Sequence, residues 1–290
     1  MQAPDLARYA RHSRWTEPAN FAGLLQSLST KPGNLPELVG GLVLHPLFAQ
    51  NGRMNDEPQL RTVQEIVGAI RGKDARPLDQ ARELGTRVLG TCRSYAVLAS
   101  GILREHGIPA RLRVGFADYF TADFWEDHWV CEYNDDRVWR LLDAELTRDA
   151  RRHLGIVFDP ADVPRDRFLA AGPVWLALRH GGLDSARFGV SAIGISGLWF
   201  AASSLLRDLA ALNGDEMMPW DYWGPARHFR PDAKIADDWL KRLDALADAL
   251  AGLDAAREDA GSIVAGHPWA ALEPSVLSFP QGRPVEVSIR

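Results

Sequence analysis

Cysteine is scarce in this sequence of 290 residues, which contains only Cys92 and Cys131. Two cysteines cannot build a disulfide framework, and a reducing compartment keeps both as thiols. Long apolar runs are missing as well: the longest, residues 38–49 and 192–202, fall short of the ~20 residues that span a bilayer. No basic stretch followed by an apolar one opens the sequence. We therefore expect a soluble, cytoplasmic protein without a membrane role, in which one thiol is available for chemistry.

A surplus of positive charge is also absent. The formal net charge is -5, the pI is near 5.9, and Lys and Arg are scattered rather than grouped in a stripe. We therefore expect no nucleic-acid partner. The sequence has no Gly-rich phosphate loop and no dinucleotide fingerprint, and its histidines lack metal-ligand spacing. We expect neither a cofactor nor a metal.

The chain divides into three regions of different texture. Residues 1–60 read as short helices separated by Gly, Pro and Asn, residues 61–158 mix helices and strands, and residues 159–290 are mainly helical. A Pro-rich tail after Pro274 is a candidate closing strand. Apolar periodicity and breakers predict the clearest helices at 61–71, 78–89, 92–106, 196–213 and 233–253.

Period-two alternation marks strands in the middle region. Residues 110–116 alternate apolar side chains with Arg and Gly, and residues 128–133 and 138–143 follow, split by the polar quartet 134–137. With residues 135 and 136 as a two-residue turn, facing residue numbers sum to 271 and His128 stands opposite Asp143, with Cβ atoms roughly 5 Å apart. A buried carboxylate beside an imidazole fixes its tautomer and stabilises the imidazolium, as a general base requires.

The partner of such a base is predicted to be Cys92. The sequence Gly-Thr-Cys at 90–92 leads into a helical stretch, so the thiol lies in a first turn, where backbone N–H groups and the helix dipole favour thiolate and can hold an oxyanion. We predict Cys92 as nucleophile, His128 as base and Asp143 as the acid that orients the base. Cys131 alternates onto the strand face opposite His128, so we expect it to be a packing residue.

Each proposed catalytic residue has an alternative role. Cys92 could be a small buried hydrophobe, and His128 could be a core histidine bonded to a backbone carbonyl. Asp143 could instead form a structural ion pair with Arg140 or Arg111.

Four short motifs point to a family: Gly-Thr-Cys-Arg at 90–93, Gly-Ile-Pro-Ala-Arg at 107–111, Asp-His-Trp-Val at 127–130 and Trp-Arg-Leu-Leu-Asp at 139–143. On these motifs, residues 90–146 resemble the transglutaminase-like superfamily, which is related in architecture to papain-type cysteine proteases. The resemblance implies thiol attack on a carboxamide, peptide or thioester, followed by capture with an amine or water.

We therefore expect an α+β fold with a papain-like or transglutaminase-like core, in which the Cys-bearing helix packs on an antiparallel sheet and helical regions flank it at both termini. The predicted activity is cysteine-dependent acyl transfer through a thioester acyl-enzyme, by hydrolysis or aminolysis of an amide or peptide carbonyl. One alternative is an acyltransferase that moves an acyl group from a carrier thioester to an amine. A second is an inactive binding or scaffold protein with the same fold. The expected partner is a peptide, amide or acyl-thioester substrate.

Overall fold

The chain folds into two compact units, each built from two separate stretches. The computed structural model describes residues 3–48, 56–231, 233–254 and 259–289. We call Gln2–Leu112 with Trp129–Arg165 the N-terminal unit, and Arg113–His128 with Asp166–Arg290 the C-terminal unit. Because these units are not contiguous in sequence, they do not test the division into three contiguous regions, which stays a prediction. Within the described ranges, no helix has both the length and the apolar character to cross a membrane.

The N-terminal unit surrounds one long buried helix. Its helices are α1 (Ala3–Tyr9), α2 (Ala22–Gln26), α3 (Leu35–Gly40), α4 (Val63–Lys73), α5 (Cys92–Glu105) and α6 (Arg148–Leu154). Its strands are β1 (Val43–Leu44), β2 (Val88–Leu89), β5 (Val138–Leu142) and the parts of β3 (Ala110–Ala117) and β4 (Trp125–Asp135) that lie in this unit. Short 3-10 turns occupy Ala19–Phe21, Pro32–Asn34, Pro46–Phe48 and Glu57–Gln59.

Helix α4 forms where capping and periodicity agree. The Thr62 hydroxyl accepts the N–H of Glu65 at 3.1 Å, and the Glu65 carboxylate accepts the N–H of Thr62 at 2.9 Å. This capping box satisfies two donors of the first turn. Val63 and Ile66 on the apolar face are buried, and α4 packs closely on α5 because position 101 is Gly: a Cβ there would lie 2.8 Å from Cγ2 of Val63. The predicted helix at 61–71 is confirmed with a shift of two residues.

The helix predicted at 78–89 is wrong. This stretch runs through turns and ends in β2, which pairs in parallel with β1. The buried Arg82 guanidinium donates to the carbonyls of Asp74, Arg76, Pro77 and Gln80, and the Arg82 N–H donates to Gly41. Because these tertiary bonds hold the loop backbone, the local helical pattern does not decide its structure.

The hairpin between β4 and β5 has a register different from the predicted one. Asn134 pairs with Trp139 and Asp135 with Val138, so facing numbers sum to 273 rather than 271. The turn residues are 136 and 137, with φ of 46° and 72°, the left-handed conformation of a type I′ turn. The prediction that His128 stands directly opposite Asp143 is therefore wrong, because continuing this register places Val130 opposite Asp143.

The C-terminal unit combines helices with short strands. Its helices are α7 (Ala171–Arg179), α8 (Leu198–Leu212), α9 (Asp237–Asp254) and α10 (Ala260–Gly266), with 3-10 turns at Ser185–Arg187, Ser191–Ile193, Gly224–His228, Pro268–Ala270 and Pro280–Gly282. Its further strands are β6 (Phe168–Ala170), β7 (Phe188–Val190), β8 (Ile195–Ser196), β9 (Asp221–Tyr222), β10 (Ser275–Ser278) and β11 (Val285–Ser288). The candidate closing strand after Pro274 is present as β10.

Three sets of ladders organise the strands of this unit. β6 runs antiparallel to the second half of β3, and β7 runs parallel to the start of β4 and antiparallel to β8. β10 lies between β9 and β11, antiparallel to both. α7 and α9 are joined by Asp244, which accepts from Trp175 Nε1 at 2.7 Å and Arg179 Nε at 3.0 Å.

The predicted α+β class is confirmed. Within the N-terminal unit, α5 packs on β4 through a hydrogen bond of 3.1 Å from Ser100 Oγ to Cys131 Sγ. The strand pairing is mainly antiparallel, with β1–β2 and β4–β7 as parallel exceptions.

Candidate active site

Cys92 is the first residue of α5 and lies in the N-terminal unit. Thr91 precedes the helix in extended conformation, and its carbonyl accepts the N–H of Ser94 at 2.7 Å and of Tyr95 at 3.3 Å. The thiol residue therefore occupies the first helical position, where the positive end of the helix dipole favours an anion. Cys92 is 8% exposed, so it lies at the edge of the core.

Glycine at position 90 sets the approach to this helix. A Cβ on Gly90 would lie 2.7 Å from Cβ of Ser94 and 2.9 Å from Cγ1 of Val43. Real Cβ atoms do not come this close, so the backbone before Cys92 packs against β1 and α5 only with Gly. The Tyr95 hydroxyl donates to the carbonyl of Val43 at 3.0 Å and ties the same turn to β1. The position of Cys92 is thus fixed by packing on both sides.

The other end of α5 matches the sequence prediction. Gly107 has a φ of +69°, its N–H donates to Arg104, and the N–H of Ile108 donates to Leu103 at 3.0 Å. This left-handed glycine closes the helix before Pro109. Every residue from Cys92 to Arg104 is buried, so α5 is the central helix of its unit.

Asp143 also lies in the N-terminal unit, directly after β5. It is 1% exposed, its N–H donates to Pro160 at 2.8 Å, and its Oδ1 accepts the N–H of Glu145 at 2.9 Å. These bonds hold both the backbone and the carboxylate in place. The arginines that the sequence offered as ion-pair partners hold other carboxylates: Arg111 pairs with Glu132 at 2.7 Å, and Arg140 pairs with Asp135 and Asp162.

His128 lies on β4 in the C-terminal unit and is 2% exposed. Three aromatic rings of that unit surround its imidazole: Phe120 at 4.8 Å, Tyr119 at 6.0 Å and Phe168 at 6.4 Å between ring centroids. All three contacts have inclined or edge-on geometry. The rings restrict the orientation of the imidazole and keep water away from it.

Cys131 has the character of a packing residue. It is fully buried and accepts the hydrogen bond from Ser100 described above. Burial raises the pKa of its thiol to about 12, so the residue stays protonated at neutral pH and is a poor nucleophile.

Two charged residues of the C-terminal unit received no role from the sequence. Asp127 is half-buried as a residue, but its Oδ1 is buried and has no hydrogen-bond partner among the described residues. Burial raises the pKa of its carboxyl group to about 6. Arg207 in α8 is fully buried. The available signal was the charged pair Arg207-Asp208 inside an otherwise apolar helical stretch, which is unusual because buried charges require partners.

The comparison with known protein families agrees with the motifs. Residues 51–144 match the profile of the Transglutaminase-like superfamily, and this stretch contains Cys92, His128 and Asp143. No curated protein matched the chain. The crystal structure of a "putative cysteine protease" from Cytophaga hutchinsonii is similar with a TM-score of 0.38 and 16% identity, over 59% of this chain and 46% of that chain. The chain thus aligns with less than half of that protein.

The family match supports a cysteine-based enzyme in general and the transglutaminase-like type of α+β fold. The matched stretch begins before α4 and ends just after β5, and it includes the whole of α5 and of the β4–β5 hairpin. Residues 51–144 of this chain are thus similar to the transglutaminase-like superfamily.

Proposed function

We propose that the protein catalyses acyl transfer through a thioester on Cys92, with hydrolysis or aminolysis of an amide or peptide carbonyl as the overall reaction. His128 acts as general base and Asp143 orients it. The observation that carries the proposal is the placement of Cys92 at the first position of the buried helix α5. A helix N-terminus stabilises a thiolate, and the thiolate is the reacting form of cysteine.

The surroundings of the other two residues suit their proposed roles. His128 is enclosed by aromatic rings, and the Asp143 carboxylate is held by the N–H of Glu145. The observed hairpin register displaces His128 by two residues from the position opposite Asp143, and a displacement of two preserves the alternation of side chains along a strand. We therefore propose Asp143 as the residue that orients His128.

The proposed reaction has two halves. His128 takes the thiol proton, the sulfur of Cys92 bonds to the carbonyl carbon, and the C–N bond breaks as the imidazolium returns the proton to the leaving amine. The product of this half is a thioester. Water or a second amine then attacks the thioester carbonyl and gives a proton to His128, and the C–S bond breaks to regenerate the thiol.

Three variants test these roles on a panel of glutamine-amide peptides, other peptides and acyl thioesters, each with and without an added amine. Cys92→Ala should abolish turnover, and Asp143→Asn should slow it by about 10²- to 10⁴-fold because the imidazole loses its orienting acceptor. The matched control is Cys131→Ala, which should keep wild-type turnover. Wild-type activity in Cys92→Ala would exclude the mechanism, and wild-type activity in Asp143→Asn would remove Asp143 from it.

A scaffold protein with the same fold is distinguished without a substrate. Alkylation of the native protein by iodoacetamide, measured against pH, should modify Cys92 at a pH well below the ordinary thiol pKa of about 8.5. Cys92→Ala should show no modification of the native protein. An alkylation profile for Cys92 like that of a free thiol would favour the scaffold.

A further inference from the structure

Arg207 is a buried cation whose side-chain nitrogens lack hydrogen-bond partners in the part of the chain that the structure describes. It lies in α8 with no exposed surface, and neither Nε, Nη1 nor Nη2 has an acceptor among the residues that the structure describes. The next residue, Asp208, shows what a satisfied pair looks like in the same unit. Asp208 accepts from Nε of Arg113 at 3.0 Å and from Nη2 at 2.9 Å, and both side chains are fully buried. Helix α8 thus supplies a carboxylate to Arg113 and none to Arg207.

Aromatic rings position the Arg207 guanidinium without satisfying its donors. Its Cζ lies over the ring of Tyr222 at 4.8 Å and over the ring of Phe200 at 5.6 Å from the centroids. Ring faces attract the positive charge, but the guanidinium N–H bonds point outward in the plane of the group and require acceptor atoms there. A planar or tetrahedral oxyanion fits this requirement, because two of its oxygens can accept two parallel N–H bonds.

Asp127 provides a second unpartnered group in the same unit. Its Oδ1 is buried without a hydrogen-bond partner within residues 3–48, 56–231, 233–254 and 259–289, although the charge of Arg207 acts on its carboxylate. The described ion pairs do not join the two residues. Burying a polar or charged group without hydrogen bonds is costly. Asp127 and Arg207 carry opposite charges and interact, but they do not bond each other. We therefore expect a ligand to supply their missing hydrogen-bond partners.

We propose that Arg207, held by Phe200 and Tyr222, binds the oxyanion of a small molecule, either a carboxylate or a phosphate, and that Asp127 Oδ1 accepts an N–H or O–H donor of the same ligand. The site belongs to the C-terminal unit and does not depend on the chemistry proposed for Cys92. Its contacts are all made by residues of that unit.

Binding to the full-length chain tests the proposal by isothermal titration calorimetry and thermal unfolding at constant ionic strength. The probes are inorganic phosphate, a dipeptide with a free carboxylate, and the same dipeptide with an amidated C-terminus. Phosphate, the free dipeptide or both should bind and raise the unfolding temperature, while the amidated dipeptide should bind more weakly than the free one. Binding of phosphate alone identifies a phosphate site, and binding of the free dipeptide alone identifies a carboxylate site.

The decisive variant is Arg207→Gln, which should weaken binding roughly ten- to a hundred-fold, the effect of losing hydrogen bonds to a charged group. Without ligand this variant should unfold at the wild-type temperature or higher, because it removes a buried charge without a partner. Arg207→Lys keeps the charge but not the paired donors, so its affinity for the anion should lie between the affinities of the wild type and of Arg207→Gln. The matched control is Arg242→Gln, since Arg242 also lies over an aromatic ring, that of Trp239, but is exposed; it should bind as the wild type does.

Several results would overturn the proposal. One is the absence of binding by phosphate and by the free dipeptide to the wild type. Another is wild-type affinity in Arg207→Gln. A lower unfolding temperature of ligand-free Arg207→Gln, together with no anion effect on the wild type, would assign Arg207 a structural role. If Arg207→Gln does not fold, wild-type affinity in Arg207→Lys contradicts the proposal and reduced affinity supports it.

Discussion

The buried ion pair of Arg113 and Asp208 allows a stability prediction with a defined magnitude. Asp208 accepts two N–H bonds from the Arg113 guanidinium and a third from the backbone N–H of Val114 at 2.9 Å. Asp208→Asn keeps the size of the side chain and an oxygen for Val114, but it leaves the charge of Arg113 buried without its carboxylate. Breaking a buried pair in this way costs about 3–5 kcal/mol of unfolding free energy.

The expected loss can be measured by urea unfolding followed by tryptophan fluorescence. With an m value of about 3 kcal/mol per M, the midpoint of unfolding should fall by about 1 to 1.7 M. The control is the double variant Arg113→Met with Asp208→Leu, which removes both charges and should unfold within about 1 kcal/mol of the wild type or be more stable. Two results would contradict the predicted effect of breaking the buried ion pair. One is a loss of unfolding free energy under about 1 kcal/mol in Asp208→Asn, and the other is a double variant less stable than the single one.

Three further predictions follow from the same structure. Burial raises the pKa of Asp127 to about 6 in the folded state, from 3.8 in the unfolded chain. The folded state therefore binds a proton more tightly, and the stability that this residue contributes is highest at low pH. That contribution is lost as the pH rises from about 4 to about 6. Asp127→Asn should therefore be more stable than wild type above pH 6, by about 3 kcal/mol, and an equal loss of stability with pH in both proteins would contradict this. Gly90→Ala should cost about 1–3 kcal/mol and slow alkylation of Cys92, because the new Cβ meets Ser94 and Val43; unchanged stability by urea unfolding would show that the contact relaxes. Cys131 should resist alkylation in the native protein and become reactive only in denaturant, as peptide mass spectrometry can show, because its pKa is raised to about 12.

The elements predicted best from the sequence are those in which local and tertiary preferences agree. Helix α5 begins at Cys92 and ends before Gly107 as predicted, because an N-terminal position, a buried face and a left-handed glycine all favour the same boundaries. Strand β3 covers the predicted stretch, since alternation of apolar residues with Arg is a strong strand signal.

The errors have identifiable physical causes. The stretch at 78–89 has helical composition, but the Arg82 guanidinium donates to four backbone carbonyls that lie two to eight residues before it in the chain, and such bonds to an irregular loop leave no periodicity in the sequence. The hairpin register depended on which two of four polar residues form the turn, and the left-handed pair at 136 and 137 differs from the predicted pair by one residue. That single step changed the sum of facing numbers by two.

The candidate functional residues also include some that the sequence indicates and one that it does not. Residue types and spacing point to Cys92, His128 and Asp143 as candidates, which stay a prediction, and the matched stretch at residues 51–144 contains all three positions. The sequence alone does not identify Arg207 as a cation without an acceptor among the described residues, because that property depends on residues from separate elements. For the same reason it could not distinguish the paired Arg113 from the unpaired Arg207.

In the proposed mechanism, Cys92 carries the acyl group during catalysis. The most direct test is to mix the protein with each acyl donor of the panel, quench with acid within one turnover, and locate any added mass by peptide mass spectrometry. We predict an acyl adduct on Cys92 that hydroxylamine removes, none on Cys131, and none in Cys92→Ala. Turnover of a donor without an adduct on Cys92, or with an adduct on another residue, would contradict the account.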